Sequence, residues 1–173
     1  MILINRIKIC SSILVASCLF WIATASYAGQ FKVTRVTDGD TIKIVNNGTT
    51  STIRLVGIDA PETSKKKNEP GQPYSQKSTK YLAGLVLNRT VDIKSYGKDW
   101  YGRTLGVVFV HGLNVNLEMV KVGLSEVYRG RPPKGFDPDP YRKAEAEAKA
   151  ARLNMWSLGD KYISPKEWRK MRK

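Results

Sequence analysis

Asp38-Gly39-Asp40-Thr41, followed by Arg54-Leu55-Val56-Gly57-Ile58-Asp59-Ala60-Pro61-Glu62-Thr63 and then by Tyr101-Gly102-Arg103, decides how this chain is read. Around the first two segments lie three strand-like runs, Phe31 to Val36, Thr41 to Val45 and Ser51 to Ile58, with Asn46-Asn47-Gly48 as a turn between the second and third. They predict an antiparallel meander. Ile53 and Leu55 alternate with Arg54, so Arg54 points away from those two apolar side chains, and the apolar Val56-Gly57-Ile58 predicts that the strand continues into a closed sheet. Along one extended strand Arg54 and Asp59 would stand roughly 16 Å apart, at about 3.3 Å per residue, unless the strand bends, bulges or coils around a small barrel.

Working outward, Pro61 to Pro73 holds three prolines, a glycine and Lys65-Lys66-Lys67 without apolar periodicity, and residues 63–73 predict a mobile surface loop. A helix follows from about Ser75 to Leu87, with Tyr81, Leu82, Leu85 and Val86 on its inward stripe. Two more strands, Thr90 to Ser95 and Thr104 to Val110, bring the count to five, and His111-Gly112 closes the second as an exposed turn. Val115 to Val122 predicts a short helix, and Pro140 to Leu153 a longer exposed one with Asp139 as its N-cap. Ser164-Pro165-Lys166-Glu167 has the form of a capping box, so residues 164–173 predict a basic C-terminal helix that packs through Trp168. The expected fold is α+β, mainly β: a five-stranded barrel with about three packed helices in a single domain, residues 29–173.

The first 28 residues read as a secretory signal peptide: Arg6 and Lys8, an apolar run from about Ile9 to Ala23, and Ser26-Tyr27-Ala28 at the cleavage point. Serines and threonines dilute the run, which disfavours a membrane anchor. Val15-Ala16-Ser17-Cys18 offers the alternative of a lipoprotein with Cys18 lipidated, against which the apolar Leu19-Phe20-Trp21-Ile22 argues. Export predicts a secreted or periplasmic protein. Both cysteines lie in the leader, so the mature domain has no disulfide. The whole chain carries a formal +14, and without Arg6 and Lys8 the domain keeps 27 basic residues against 15 acidic ones. Such a surface favours a polyanion, though charge alone does not separate nucleic acid from heparin or an anionic membrane.

Asp38-Gly39-Asp40 by itself reads as a tight turn. Joined to Asp59-Ala60-Pro61-Glu62 it brings acids together, and two unit charges about 4 Å apart at an effective dielectric near 20 repel by roughly 4 kcal/mol, so clustered acids call for a cation. Arg54 and Arg103 beside them call for an anion, and phosphate fits their planar fork. Oxygen donors suit Ca²⁺, and Mg²⁺ under stricter geometry, with Asp40, Asp59 and a backbone carbonyl near Ala60 as ligands; the single histidine and absence of a thiolate cluster argue against zinc. The general base is then a carboxylate, for which Glu62 is the available candidate, or metal-bound water. Trp100 and Tyr101 either stack on a base or sugar or close the core.

These residues resemble the staphylococcal-nuclease-like thermonucleases. The likeness runs through Val36-Thr37-Asp38-Gly39-Asp40-Thr41, Arg54-Leu55, Asp59-Ala60-Pro61-Glu62-Thr63, Tyr101-Gly102-Arg103, Gly123-Leu124 and Leu153-Asn154-Met155-Trp156-Ser157, over about residues 31 to 158. It implies an OB-fold and a secreted Ca²⁺-dependent endonuclease that cuts DNA and RNA with low sequence specificity, leaving 5′-hydroxyl and 3′-phosphate ends. It further implies Ca²⁺ on Asp40, Asp59 and the Ala60 carbonyl, Arg54 and Arg103 on the scissile phosphate, and Glu62 on the attacking water. Asp38 and Thr41 would support the metal site, and Tyr101 would contact the nucleotide. The departures are Ala60 for a threonine, Trp100 for a lysine, and no single equivalent for the tyrosine after Gly123-Leu124, for which Tyr128 is the candidate. A monomer is expected, and the rival from another class is a catalytically inactive OB-fold module that binds nucleic acid or another polyanion.

Overall fold

A computed structural model describes residues 30–64, 66 and 68–172; the expected leader, including Cys18, lies outside them. In chain order the strands are β1 (Gln30–Asp38), β2 (Thr41–Asn46), β3 (Thr49–Leu55), β4 (Ile58–Asp59), β5 (Thr90–Lys98), β6 (Thr104–Val110), β7 (Leu113–Asn114) and β8 (Glu126–Val127). The helices are α1 (Ser75–Val86), α2 (Val115–Lys121), α3 (Asp139–Ala150) and α4 (Pro165–Met171), with a 3₁₀ segment at Asn154–Lys161.

β1, β2 and β3 form the expected meander, its second turn made by Asn47 and Gly48 at φ 48° and 77°, the left-handed pair that a two-residue hairpin demands. β5 lies antiparallel to β1 and to β6. β6 then runs parallel to β3, with Ile53 opposite Thr104 and Arg54 opposite Leu105, and this pairing closes a five-stranded barrel with β7 as an extra edge strand. The expected OB-fold is therefore the observed one, and β4 and β8 add a separate two-stranded ribbon. Val33, Ile42, Leu55, Ile58, Leu82, Val108 and Met119 are buried at its centre. Each such side chain is worth roughly 1.5–3 kcal/mol relative to exposure.

Two local expectations are corrected. Ser51 to Ile58 is not one strand: β3 ends at Leu55, Val56-Gly57 turn, and β4 starts at Ile58. Gly57 has φ 82°, and a Cβ there would lie 2.2 Å from the Phe136 ring, so both backbone and space require glycine. The α3 N-cap is Pro138 rather than Asp139, whose own N–H bonds the Asp137 carboxylate at 3.0 Å. The expected C-terminal helix is α4, and the 3₁₀ segment between it and α3 brings the helical segments among the described residues to five. The capping box forms as expected, Glu167 N–H donating to Ser164 Oγ at 3.2 Å and Glu167 Oε2 accepting from Ser164 N–H at 3.2 Å. Among the described residues no helix is long and apolar enough to cross a membrane.

Candidate active site

The turn between β1 and β2 presents Asp40. Its Gly39 packs against α1 so closely that a Cβ would meet Ser78 Oγ at 2.0 Å and the Ala60 Cβ at 2.7 Å. Asp38 Oδ1 accepts the Asp40 N–H at 3.1 Å and tightens the turn. The Asp40 carboxylate is buried, accepting Thr41 Oγ1–H at 3.0 Å on Oδ1 and the Ala60 N–H at 2.8 Å on Oδ2. Asp38 and Thr41 thus stand behind Asp40, and Ala60 reaches it through its N–H.

The break at Gly57 brings Asp59 back to Arg54. Arg54 donates from Nη2 to Asp59 Oδ1 at 2.9 Å, while its Nη1 sits against Asp40 Oδ2 as an ion pair without hydrogen-bond alignment. One guanidinium therefore bridges two buried carboxylates. Asn116 fixes the break: buried in α2, it accepts the Val108 N–H at 3.0 Å and donates to the Val56 and Gly106 carbonyls at 2.9 and 3.0 Å. Gln72 fixes the next residue of interest. Its N–H donates to the Glu62 carbonyl at 2.8 Å, its Oε1 accepts the Glu62 N–H at 3.0 Å, and its Nε2 donates to the Ile163 carbonyl at 2.7 Å. The far end of the expected loop is therefore tied down at Gln72, which is buried.

Arg169, from α4, completes the cluster. Its Nη1 donates to Asp59 Oδ1 at 3.1 Å and Glu62 Oε1 at 2.5 Å, and its Nη2 to Asp59 Oδ2 at 2.8 Å. The hydrogen bonds to Asp59 raise its affinity for a proton further above that of an ordinary guanidinium, against the cost of burial. Asp40 shows the opposite imbalance. Burial, opposed by Arg54 but reinforced by Asp38, pushes its carboxyl up to about 6. The cup holds more acid than its cations fully compensate.

Of the sequence-predicted residues, Asp40, Asp59, Arg54 and Glu62 meet here. Arg103 does not join them. Its Nε donates to Asp99 Oδ2 at 2.7 Å and its guanidinium lies 5.5 Å from the Tyr101 ring centre. Arg103 precedes β6, whose Leu105 pairs with Arg54, so it lies two strand positions back, roughly 7 Å along the neighbouring strand, and within the reach of an arginine side chain. Trp100 and Tyr101 stand at the tip of the β5–β6 hairpin, 98% and 83% exposed, which removes the core reading for Trp100. Tyr128 follows β8 and is half-exposed, beside a cavity of about 140 Å³ that Asp59 and Arg169 also line. Asn116, Gln72 and Arg169 were not anticipated; the first two look like ordinary helix and loop polars, and Arg169 is separated from Asp59 by 110 positions.

A closed OB barrel thus carries paired arginine and acid groups at its mouth. Residues 52–158 match the family model described as staphylococcal nuclease homologue, and the chain belongs to that family. It is similar to a protein named "Uncharacterized endonuclease" of Haemophilus influenzae, at 38% identity over 82% of this chain and 74% of that one. A second of that name, from Escherichia coli O157:H7, is 38% identical over 80% and 83%. The SPbeta prophage-derived endonuclease YokF of Bacillus subtilis is 39% identical over 71% of this chain, which spans 42% of its length.

Proposed function

We propose that the chain is an exported, metal-dependent endonuclease that hydrolyses DNA and RNA with little sequence preference, leaving 5′-hydroxyl and 3′-phosphate ends. The observation that carries this reading is the Arg54 guanidinium bridging buried Asp40 and Asp59 while Glu62 faces the same opening.

Arg54 retains N–H donors beyond those spent on the two acids, and these would hold the non-bridging oxygens of the scissile phosphate and stabilise the charge that grows on them. Arg103 would turn from Asp99 to take a second oxygen. Glu62, held by Gln72 at both backbone groups, would orient the attacking water and accept its proton. Tyr101, Trp100 and Tyr128 supply exposed rings against which flanking nucleotides stack.

The donor set fits a hard divalent cation: the Asp40 and Asp59 carboxylates lie together at Arg54 and offer only oxygen. Asp40, Asp59 and the Ala60 carbonyl would hold Ca²⁺, with Mg²⁺ the less suited ion. When bound, the ion supplies neutralisation of the phosphoryl charge. Export to the periplasm or medium and a monomeric state complete the proposal. Its test is plasmid nicking in Ca²⁺ or EDTA, repeated on Glu62→Gln and Arg54→Ala. Cleavage in Ca²⁺ that EDTA abolishes and both variants cripple is expected; tight binding without cleavage would instead leave a polyanion-binding OB module.

A further inference from the structure

Arg169 occupies both oxygens of Asp59 and one of Glu62, the groups that the nuclease reading assigns to a cation and to water. Arg54 bonds only Oδ1 of Asp59, whereas Arg169 and a divalent ion both need Oδ2 and repel one another over it. They are alternatives. The arginine arrives on a seven-residue helix held by its capping box and by Trp168, which lines a small cavity with Pro61, Gln72 and Tyr162. The helix can therefore stay docked while one side chain moves.

The structure also supplies somewhere for that side chain to go. The cavity of about 140 Å³ beside Arg169 is walled by Asp59, Glu126, Tyr128, Arg129, Gly130 and Lys166. Glu126 is only 3% exposed, its Oε2 accepts the Tyr162 hydroxyl at 2.7 Å, and its Oε1 has no hydrogen-bond partner among the described residues. A buried acceptor without a donor is costly to leave unpaired. β4 and β8 pair Asp59 directly with Glu126, so the empty acceptor adjoins the occupied one.

We propose that Arg169 is a positioning residue of the cation site: it holds Asp59 and Glu62 in place in the metal-free protein and moves to Glu126 Oε1 when a divalent cation takes them. The affinity of the site is then set by α4 as well as by the ligands. This inference rests on the nuclease reading of the site.

The test is calorimetric titration of the full-length chain with CaCl₂ at fixed ionic strength. Arg169→Gln removes the competitor and is expected to tighten Ca²⁺ binding about tenfold. Lys170→Gln removes the same charge from the same helix without touching the acids, and should change affinity less than about twofold, as expected for a screened exposed charge. Arg169→Lys should fall between wild type and Arg169→Gln. Glu126→Gln should weaken binding in the wild-type background and not in Arg169→Gln, the coupling that a shared movement requires. Equal affinity of wild type and Arg169→Gln, weaker binding by Arg169→Gln, or a Lys170→Gln effect as large as that of Arg169→Gln overturns the inference and leaves the nuclease reading standing. An equal effect of Glu126→Gln in both backgrounds removes the second resting place and with it the proposal. No Ca²⁺ binding by any variant, in a protein that nicks DNA in EDTA, overturns the metal-dependent reading itself.

Discussion

Two buried acid clusters in this molecule use the same residue types to opposite ends. Glu145, on α3, accepts the Val127 N–H at 2.8 Å, two bonds from Arg129 Nη2 at 2.8 and 2.7 Å, and one from Lys149 Nζ at 3.0 Å. One acid faces two cations and a backbone donor, and these hold its carboxyl below the usual range despite burial. At the barrel mouth, Asp38, Asp40, Asp59 and Glu62 share Arg54 and Arg169, and Asp40 is pushed up instead. The first cluster is closed and ties α3 to β8. The second sets four acids against two arginines.

The largest expected difference between them is in activity. Glu62→Gln should lower nicking by about 10²–10⁴-fold, the range of a lost general base, whereas Glu145→Gln should leave the rate per folded molecule within about twofold. Single-turnover cleavage, normalised to the folded fraction from circular dichroism, separates the two. Comparable losses in both variants would erase the division into a working cluster and a structural one.

Stability should reverse the ranking. Glu145→Gln keeps one acceptor but loses charge-assisted bonds to Arg129 and Lys149, and should cost about 1.5–3 kcal/mol in urea unfolding. Asp40→Asn in EDTA at pH 7 should cost less, because it removes an acid whose ionisation the burial opposes. Asn116→Ala extends the contrast, since it strands the Val108 N–H and the Val56 carbonyl at the break that carries Asp59, leaving the Gly106 carbonyl only the Val56 N–H; about 2–3 kcal/mol is expected.

These contrasts mark what was legible beforehand. Strand alternation, Asn47-Gly48 and the Ser164 capping box are local, and each was read from neighbouring residues. The acids and Arg54 were legible as chemistry, although one continuous strand would have held Arg54 and Asp59 apart. Val56-Gly57-Ile58 looks like uninterrupted apolar strand, and only the Phe136 ring and Asn116, both remote in sequence, make a turn of it. Glu145 belongs to a segment that reads as an exposed Ala-Glu face, because Arg129 and Val127 come from elsewhere in the chain. Arg169 reads as one more charge in a basic helix, since nothing local ties it to Asp59.

The smallest expected effect concerns acid, and its sign distinguishes the clusters. Asp40 has a folded value near 6 against an ordinary 3.8, so its ionisation penalises the native state above about pH 6, and that penalty is relieved as pH falls toward 4. Glu145 lies below the ordinary 4.5, so its contribution is fully present above that value and is lost as pH drops through the folded one. In EDTA, wild type should therefore gain about 1 kcal/mol relative to Asp40→Asn between pH 7 and 5, since one unit of pH across a shifted group is worth about 1.4 kcal/mol. Relative to Glu145→Gln, wild type should hold its advantage over that interval and lose it only as pH falls below the ordinary 4.5. Urea midpoints for the three proteins across pH 3.5–7 measure both slopes. Parallel curves for wild type and Asp40→Asn would mean that burial does not lift the Asp40 carboxyl above its ordinary range, and that the two clusters do not differ in sign.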